Sequence, residues 1–352
     1  MNSTPPSAAP PFAPKKPSRW LQLLRVTNAP LVKVYRSYGS AACFLVHGHA
    51  FRLSPLPRRR YRKNFWTNFF ALLRLFFVRP AANVPLRVCW NGQEVQTETD
   101  RDGYFRVEFV PQGTVTPGQC RVEVTWLSRT PEPYAIAQGR GTVFVPHPTH
   151  YACISDIDDT FLVSHSSNLR KRLWVLFTEN ARSRDPFEGV LAHYQLLAQA
   201  GTRPDLPNAF FFVSSSEWNL YDYIREFSEV NDFPEGVYLL SQLKRFHQLL
   251  KTGQNKHLTK FNRITRILKA YPNQKFILLG DDTQEDPNIY ASVIDHFPGL
   301  IHCVYLRQVN PKNRERTRQF VEKMQAAGVE TCYFAHSAEA MEHSRRILTV
   351  TG

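Results

Sequence analysis

The chain has 352 residues, 43% of them apolar, which leaves room for two domains, each with its own core. Its formal net charge is +14, and its six cysteines, at positions 43, 89, 120, 153, 303 and 332, include no CxxC pair. Unpaired cysteines in strand-like surroundings act as small buried hydrophobes and point to a reducing cytoplasm rather than secretion, and the N-terminus lacks the apolar core of a signal peptide.

The charge is not evenly spread. Residues 1–93 hold fifteen Lys and Arg and no acidic residue; the first acid is Glu94, and the remainder carries 29 basic and 30 acidic side chains. A basic arm on a neutral body implies an anionic partner surface, lipid headgroups or nucleic acid. Residues 1–25 are expected to be a disordered basic segment, since their start is rich in Pro, Ala and Ser without apolar periodicity.

The cluster Arg58, Arg59, Arg60, Arg62 and Lys63 precedes an aromatic run from Phe65 through Trp66 to Phe77. That run is too short, and too interrupted by Arg74, to span a bilayer. Basic residues beside an aromatic amphipathic helix suit interfacial membrane binding, where apolar burial and lipid attraction add. A core helix docked on the neighbouring domain, with the arginines at its rim, fits the same pattern. Of the anionic partners, a membrane surface held peripherally is the one expected, with no obligate nucleic acid.

Residues 26–148 form a β-rich region. Leu86 to Trp90 alternates before the hairpin turn Asn91-Gly92, and Asp102-Gly103 marks a second turn before Tyr104 to Val110. Further strand patterns at Cys120 to Trp126 and Gly141 to Val145 predict a small β-sandwich-like domain. His47-Gly48-His49 and the pair His147 and His150 are expected to be structural or surface groups rather than metal ligands.

The second half carries the chemistry. Cys153-Ile154-Ser155-Asp156-Ile157-Asp158-Asp159-Thr160 is an apolar strand that ends in carboxylates at i and i+2. Alternate side chains of an extended segment share a face, so Asp156 and Asp158 enter one site. Close carboxylates need a cation between them or split pKa values, which suits a Mg²⁺-assisted reaction with one as nucleophile and one as proton carrier. Ala209 to Val213 is a buried-strand run ending in Ser214, Ser215 and Ser216; Lys260 opens a helical stretch; Phe276 to Gly280 is another strand run, followed by Asp281, Asp282 and Asp286. Strands alternating with helices predict an α/β fold with a parallel sheet, whose ligands bind beyond the carboxyl ends of the strands.

The order DxDxT, strand-Ser, Lys, then Gly-Asp with a later Asp resembles the haloacid dehalogenase-like phosphatases, which implies a Rossmann-like parallel sheet of that type. Asn180 to Val190, Phe212 to Tyr221 and Gly280 to Tyr290 narrow the resemblance to the actin-patch phosphatidate phosphatase catalytic family. It is strong over roughly residues 150–310 and weak upstream, through Val34 to Gly39 and the turn at Asp100 to Phe105.

By that resemblance Asp156 is the nucleophile and Asp158 the general acid and base. Thr160, Ser214, Ser215 and Lys260 are the candidate substrate-binding groups, with Ser214 on a phosphoryl oxygen and Lys260 neutralising charge. Asp156, Asp158, Asp281 and Asp286 are the candidate metal set for Mg²⁺, with Asp286 on Lys260 or on a metal-bound water. Two places depart from the family pattern: Asp282 replaces a usual Ser, and Ser215, Ser216 and Glu217 replace Asn-Ser-Pro. Asp282 is expected to face solvent or cap a helix, and Glu217 to sit in a helix's first turn.

The phosphatase domain is expected at residues 149–340, with a tail at 341–352. The expected function is a Mg²⁺-dependent phosphomonoesterase acting on a lipid phosphate, cytoplasmic and peripherally membrane-bound. Phosphoproteins, nucleic-acid ends and soluble esters stand as alternative substrates. A membrane- or nucleic-acid-binding adaptor with a degenerate site is the alternative of another class.

Overall fold

The computed structural model describes residues 26–55, 74–157, 188–243 and 256–348. The expectations placed on Arg58, Arg59, Arg60, Arg62, Lys63, Trp66, Asp158, Thr160 and residues 1–25 lie outside the described residues.

Ten strands build the N-terminal region: β1 (Val26–Thr27), β2 (Leu31–Val34), β3 (Ser37–Ser40), β4 (Cys43–Pro55), β5 (Arg79–Pro80), β6 (Pro85–Trp90), β7 (Gln93–Glu98), β8 (Tyr104–Phe109), β9 (Gly118–Leu127) and β10 (Ala135–Val145). They form one hydrogen-bonded network, antiparallel except where β3 runs parallel to β10. Strand β4 is its hub and pairs with β1, β2, β3, β5 and β8. Alternation in β6 buries Leu86, Val88 and Trp90 against Val122, Val124 and Trp126. The β6–β7 hairpin turns where the sequence predicts it, with Asn91 and Gly92 both at positive φ, as a tight hairpin requires.

A second sheet follows, of six strands all parallel: β11 (Tyr151–Ser155), β12 (Ala209–Glu217), β13 (Gly236–Ser241), β14 (Lys275–Asp281), β15 (Ile301–Arg307) and β16 (Glu330–Phe334). Their spatial order is β13-β12-β11-β14-β15-β16. Among the described residues, its helices are α1 (Val190–Gln199), α2 (Tyr221–Val230), α3 (Lys256–Ala270), α4 (Asp286–His296), α5 (Arg314–Ala326) and α6 (Ser337–Ile347).

Both faces of this sheet are covered, which is why its strands read as unbroken apolar runs. Cys153, Phe210, Phe212, Ile277 and Tyr305 face α1, α2 and α6, while Ile154, Phe211, Val213, Leu278 and Val304 face α3, α4 and α5. Helix α6 runs to Ile347 with Ala340 and Ser344 buried, so residues 341–347, expected within the tail, are helical. All six cysteines are free thiols, and no helix among the described residues is long and apolar enough to cross a membrane.

The two regions share a packed boundary. Tyr35 stacks on Trp218 with centroids 4.2 Å apart, and the Arg36 amide donates to the Tyr221 hydroxyl at 2.9 Å. Lys33 pairs with Asp222 at 2.7 Å and Arg36 with Glu235 at 2.6 Å. The Tyr271 hydroxyl donates to the Gly39 carbonyl at 3.1 Å. The upstream segment of weak family likeness, Val34 to Gly39, is thus part of this seam. The end of the aromatic run also docks here: Arg74–Phe76 is a short 3-10 turn with Arg74 and Phe76 buried, and the Leu75 carbonyl accepts from Asn219 Nδ2 at 2.9 Å.

Candidate active site

Strand β11 lies between β12 and β14, where the strand order reverses, and in open α/β sheets such a switch point opens a crevice at the carboxyl edge. Asp156 follows β11 directly, and its amide donates to the Leu279 carbonyl of β14 at 2.8 Å. Ser214 lies in β12 at the same edge, and Asp281 ends β14. Asp286 opens α4. Lys260 projects from α3 on the same face as Ile264, Ile267 and Leu268, which are buried against the sheet.

Asp156, Asp281 and Asp286 each offer a carboxylate oxygen, and these lie within 4.8 Å of one another. All three are fully buried and Lys260 is 3% exposed. The Lys260 ammonium stands 2.8 Å from Asp156 Oδ1 and also bonds Asp286 Oδ1. Burial by itself pushes the lysine's pKa down, but Asp156 and then Asp286 outweigh it and hold the pKa above the ordinary lysine range. Lys260 therefore stands here as a cation paired with both carboxylates.

Among the described residues, three carboxylates face one ammonium in this buried site. Buried charge is tolerated when paired or when it ligates a metal. Asp286 Oδ2 is buried and has no hydrogen-bond partner among the described residues. Hard oxygen donors at this spacing fit a small divalent cation. Gly280 permits the approach of Asp286: a Cβ there would stand 2.6 Å from Asp286 Oδ2 and 2.9 Å from the Tyr290 ring. The Tyr290 hydroxyl in turn donates to the Leu279 carbonyl at 2.7 Å, tying α4 to β14.

The serines divide their work. Ser214 Oγ accepts from the Ser216 amide at 2.8 Å, within the irregular end of β12, where its register with β13 shifts, while Ser215 Oγ donates to Gln284 Oε1 at 3.1 Å. Asp281 Oδ1 accepts from both the amide and the hydroxyl of Thr283. Of the expected site residues, Asp156, Ser214, Ser215, Lys260, Asp281 and Asp286 converge on this edge; Asp158 and Thr160 lie outside the described residues.

Two expectations need correction. Asp282 neither faces solvent nor caps a helix: it is buried, and its Oδ1 accepts from the amides of Val309 and Asn310, each at 2.8 Å. Its Oδ2 accepts from the Tyr333 hydroxyl at 2.7 Å, so Asp282 braces the loop after β15 against β16. Glu217 ends β12 and precedes the 3-10 turn Trp218–Leu220, because the strand runs on through the serines before α2 begins. His47 and His49, expected to be structural, are buried in the seam, and burial pushes both imidazoles down to about 3.

One site residue was missed. Arg263 Nη1 donates to the Ser214 carbonyl at 2.9 Å. The available signal was its position, one helical turn beyond Lys260 on α3.

A switch-point carboxylate, a buried lysine from the crossover helix and two carboxylates from the next strand-helix unit define an α/β domain with an enzyme-type acidic centre. Residues 151–308 match the family described as phosphatidate phosphatase APP1, catalytic domain. Over 163 residues the chain is 29% identical to the phosphatidate phosphatase APP1 of Saccharomyces cerevisiae, covering 46% of the chain and 26% of that protein. Over 219 residues it is 25% identical to an uncharacterized protein of Schizosaccharomyces pombe, covering 61% of the chain and 35% of that protein. The chain thus spans only about a quarter to a third of the length of these relatives. A carbohydrate acetylesterase from Xanthomonas citri aligns over 84% of this chain and 72% of its own at 10% identity, with a TM-score of 0.23, too slight a likeness to build on.

Proposed function

We propose that the chain is a Mg²⁺-dependent phosphatidate phosphatase-like phosphomonoesterase of the haloacid dehalogenase type, acting on a lipid phosphate through an aspartyl-phosphate. The observation that carries this reading is the buried cluster of Asp156, Asp281 and Asp286 around Lys260, set at the switch point within the family-matched segment.

An Asp156 oxygen attacks phosphorus, and the bond from phosphorus to the leaving alkoxide breaks. Asp158 gives its proton to that alkoxide, then takes one from the water that cleaves the aspartyl-phosphate, restoring Asp156 and releasing inorganic phosphate. Lys260, fixed beside Asp156, offsets charge gathering on the transferred group, and the Ser214 hydroxyl donates to a phosphoryl oxygen. Phosphoryl transfer depends mainly on such positioning and charge neutralisation. Asp156, Asp281 and Asp286 would hold Mg²⁺, which supplies Lewis-acid neutralisation of the phosphoryl oxygens when bound.

The basic arm, with Arg58, Arg59, Arg60, Arg62, Lys63 and Trp66, brings this site to anionic membrane surfaces. Each cation near such a surface contributes about 1 kcal/mol, screened over roughly 8 Å.

The test is phosphate release from phosphatidate, lysophosphatidate, a phosphopeptide and a nucleotide, with Mg²⁺ and with excess EDTA. Metal-dependent release, greatest from the lipid esters in anionic vesicles and reduced there when the five basic residues are neutralised, is expected. Full activity in EDTA would falsify the metal assignment. Preference for the phosphopeptide or nucleotide would move the substrate away from lipid, and unchanged vesicle binding by the neutralised variant would remove the arm's role.

A further inference from the structure

Next to the catalytic centre, along the seam between the two regions, lies a cleft of about 300 Å³. Its polar and cationic lining includes Arg263 and Arg266 of α3 with Arg106 and Tyr104 of β8. Its apolar lining includes Trp218 and Leu240 at the carboxyl ends of β12 and β13. That volume is at the lower end for small-molecule sites, enough for a phosphate and a few carbons but not for two acyl chains.

Arg263 connects this cleft to the site. It follows Lys260 by three residues, about 4.5 Å along the helix axis, and its guanidinium already holds the Ser214 carbonyl. Arg263 and Arg266 are like charges on adjacent turns. Among the described residues no carboxylate pairs with either, while Arg106 pairs with Glu108 at 3.4 Å. Burial, and to a lesser degree the neighbouring Arg266, push the Arg263 guanidinium down to about 10. Two aspartates stand on the lip, Asp100 and Asp102; Asp100 Oδ1 is occupied by the amides of Asp102 and Tyr104, and neither aspartate forms an ion pair with the arginines among the described residues. Side-by-side guanidiniums with no carboxylate partner among the described residues favour an oxyanion with several acceptor oxygens, which they bind by charge-assisted, bidentate bonds.

We propose that this cleft is a second anion subsite: it holds a phosphate on the leaving group, so that the preferred substrate is a phosphate ester bearing a second phosphate a few atoms from the scissile one. The apolar lining then carries the carbon skeleton between them. This inference rests on the phosphatase reading and narrows its substrate class.

The test compares glycerol 3-phosphate with glycerol 1,3-bisphosphate, a matched pair differing by the second phosphate. For the wild-type chain, kcat/KM is expected to favour the bisphosphate about tenfold or more. Arg266→Gln should abolish that preference while leaving glycerol 3-phosphate turnover unchanged, and Arg266→Lys should restore part of it. Equilibrium binding of both compounds to the wild type and Arg266→Gln, measured calorimetrically in EDTA, reads the subsite without turnover. A wild-type preference near one, in both rate and affinity, overturns the proposal. So does an equal loss for both compounds in Arg266→Gln. Selective binding without metal-dependent turnover of either compound keeps the subsite and rejects the phosphatase reading.

Discussion

The two regions of this molecule bury different things. Among the described residues, the ten-stranded region buries one charged side chain, Arg74; the parallel-sheet region buries seven: Asp156, Glu217, Lys260, Asp281, Asp282, Asp286 and Arg307. The polar groups buried in the first region are neutral hydroxyls and imidazoles that serve packing, such as His49 Nδ1 bonded to the Tyr35 hydroxyl at 3.0 Å. Desolvating an ion costs several kcal/mol, so a fold concentrates buried ions where they brace a loop or do chemistry. Within the second region those uses separate by partner. Asp282 is met by two amides and a hydroxyl, a structural set. Among the described residues, Asp156, Asp281 and Asp286 crowd one another around Lys260, which a purely structural site would avoid.

The largest expected effect tests the functional side of that division. On the proposed mechanism, Asp156→Asn should lower turnover by several orders of magnitude, since an amide does not replace a carboxylate nucleophile. It also relieves carboxylate crowding, so the thermal midpoint should hold or rise. A variant that lost its fold instead, or kept near-normal Mg²⁺-dependent turnover, would break the distinction.

Asp282→Ala should do the reverse. It strands two amides and a hydroxyl, at a cost of about 2–3 kcal/mol in denaturant unfolding, with catalysis reduced far less than in Asp156→Asn. Turnover lost as completely as with Asp156→Asn, at unchanged stability, would return Asp282 to the catalytic set.

The smallest effect concerns the neutral imidazoles. His47, His49 and His193 are pushed from 6.5 to about 3, chiefly by burial. The unfolded chain therefore takes up these protons first. The stability they contribute is fully present above pH 6.5 and is lost as pH falls towards 3. At pH 5.5 the loss is about 1 kcal/mol per histidine. Denaturant midpoints at pH 7.5 and 5.5 read it, and His47→Gln with His49→Gln should remove most of the slope. A midpoint insensitive to pH over that range would show that these imidazoles are not held neutral.

The sequence by itself determined the strands of the parallel sheet and the polar groups that end them. Apolar runs ending in Asp156, Ser214 and Asp281 show in one dimension because a doubly covered parallel strand must be apolar throughout and becomes polar only at its carboxyl end. Asn91-Gly92 fixed a hairpin because few residues tolerate positive φ. Tertiary structure alone decided what those groups face. Asp282 and Asp281 are neighbours in sequence, yet successive side chains point to opposite sides, and only the arrival of Val309, Asn310 and Tyr333 makes one a brace and the other a ligand candidate. The same holds for the seam: Tyr35 meets Trp218, and Arg106 lines one cleft with Arg263 and Arg266, through contacts more than 150 residues apart that no local pattern encodes.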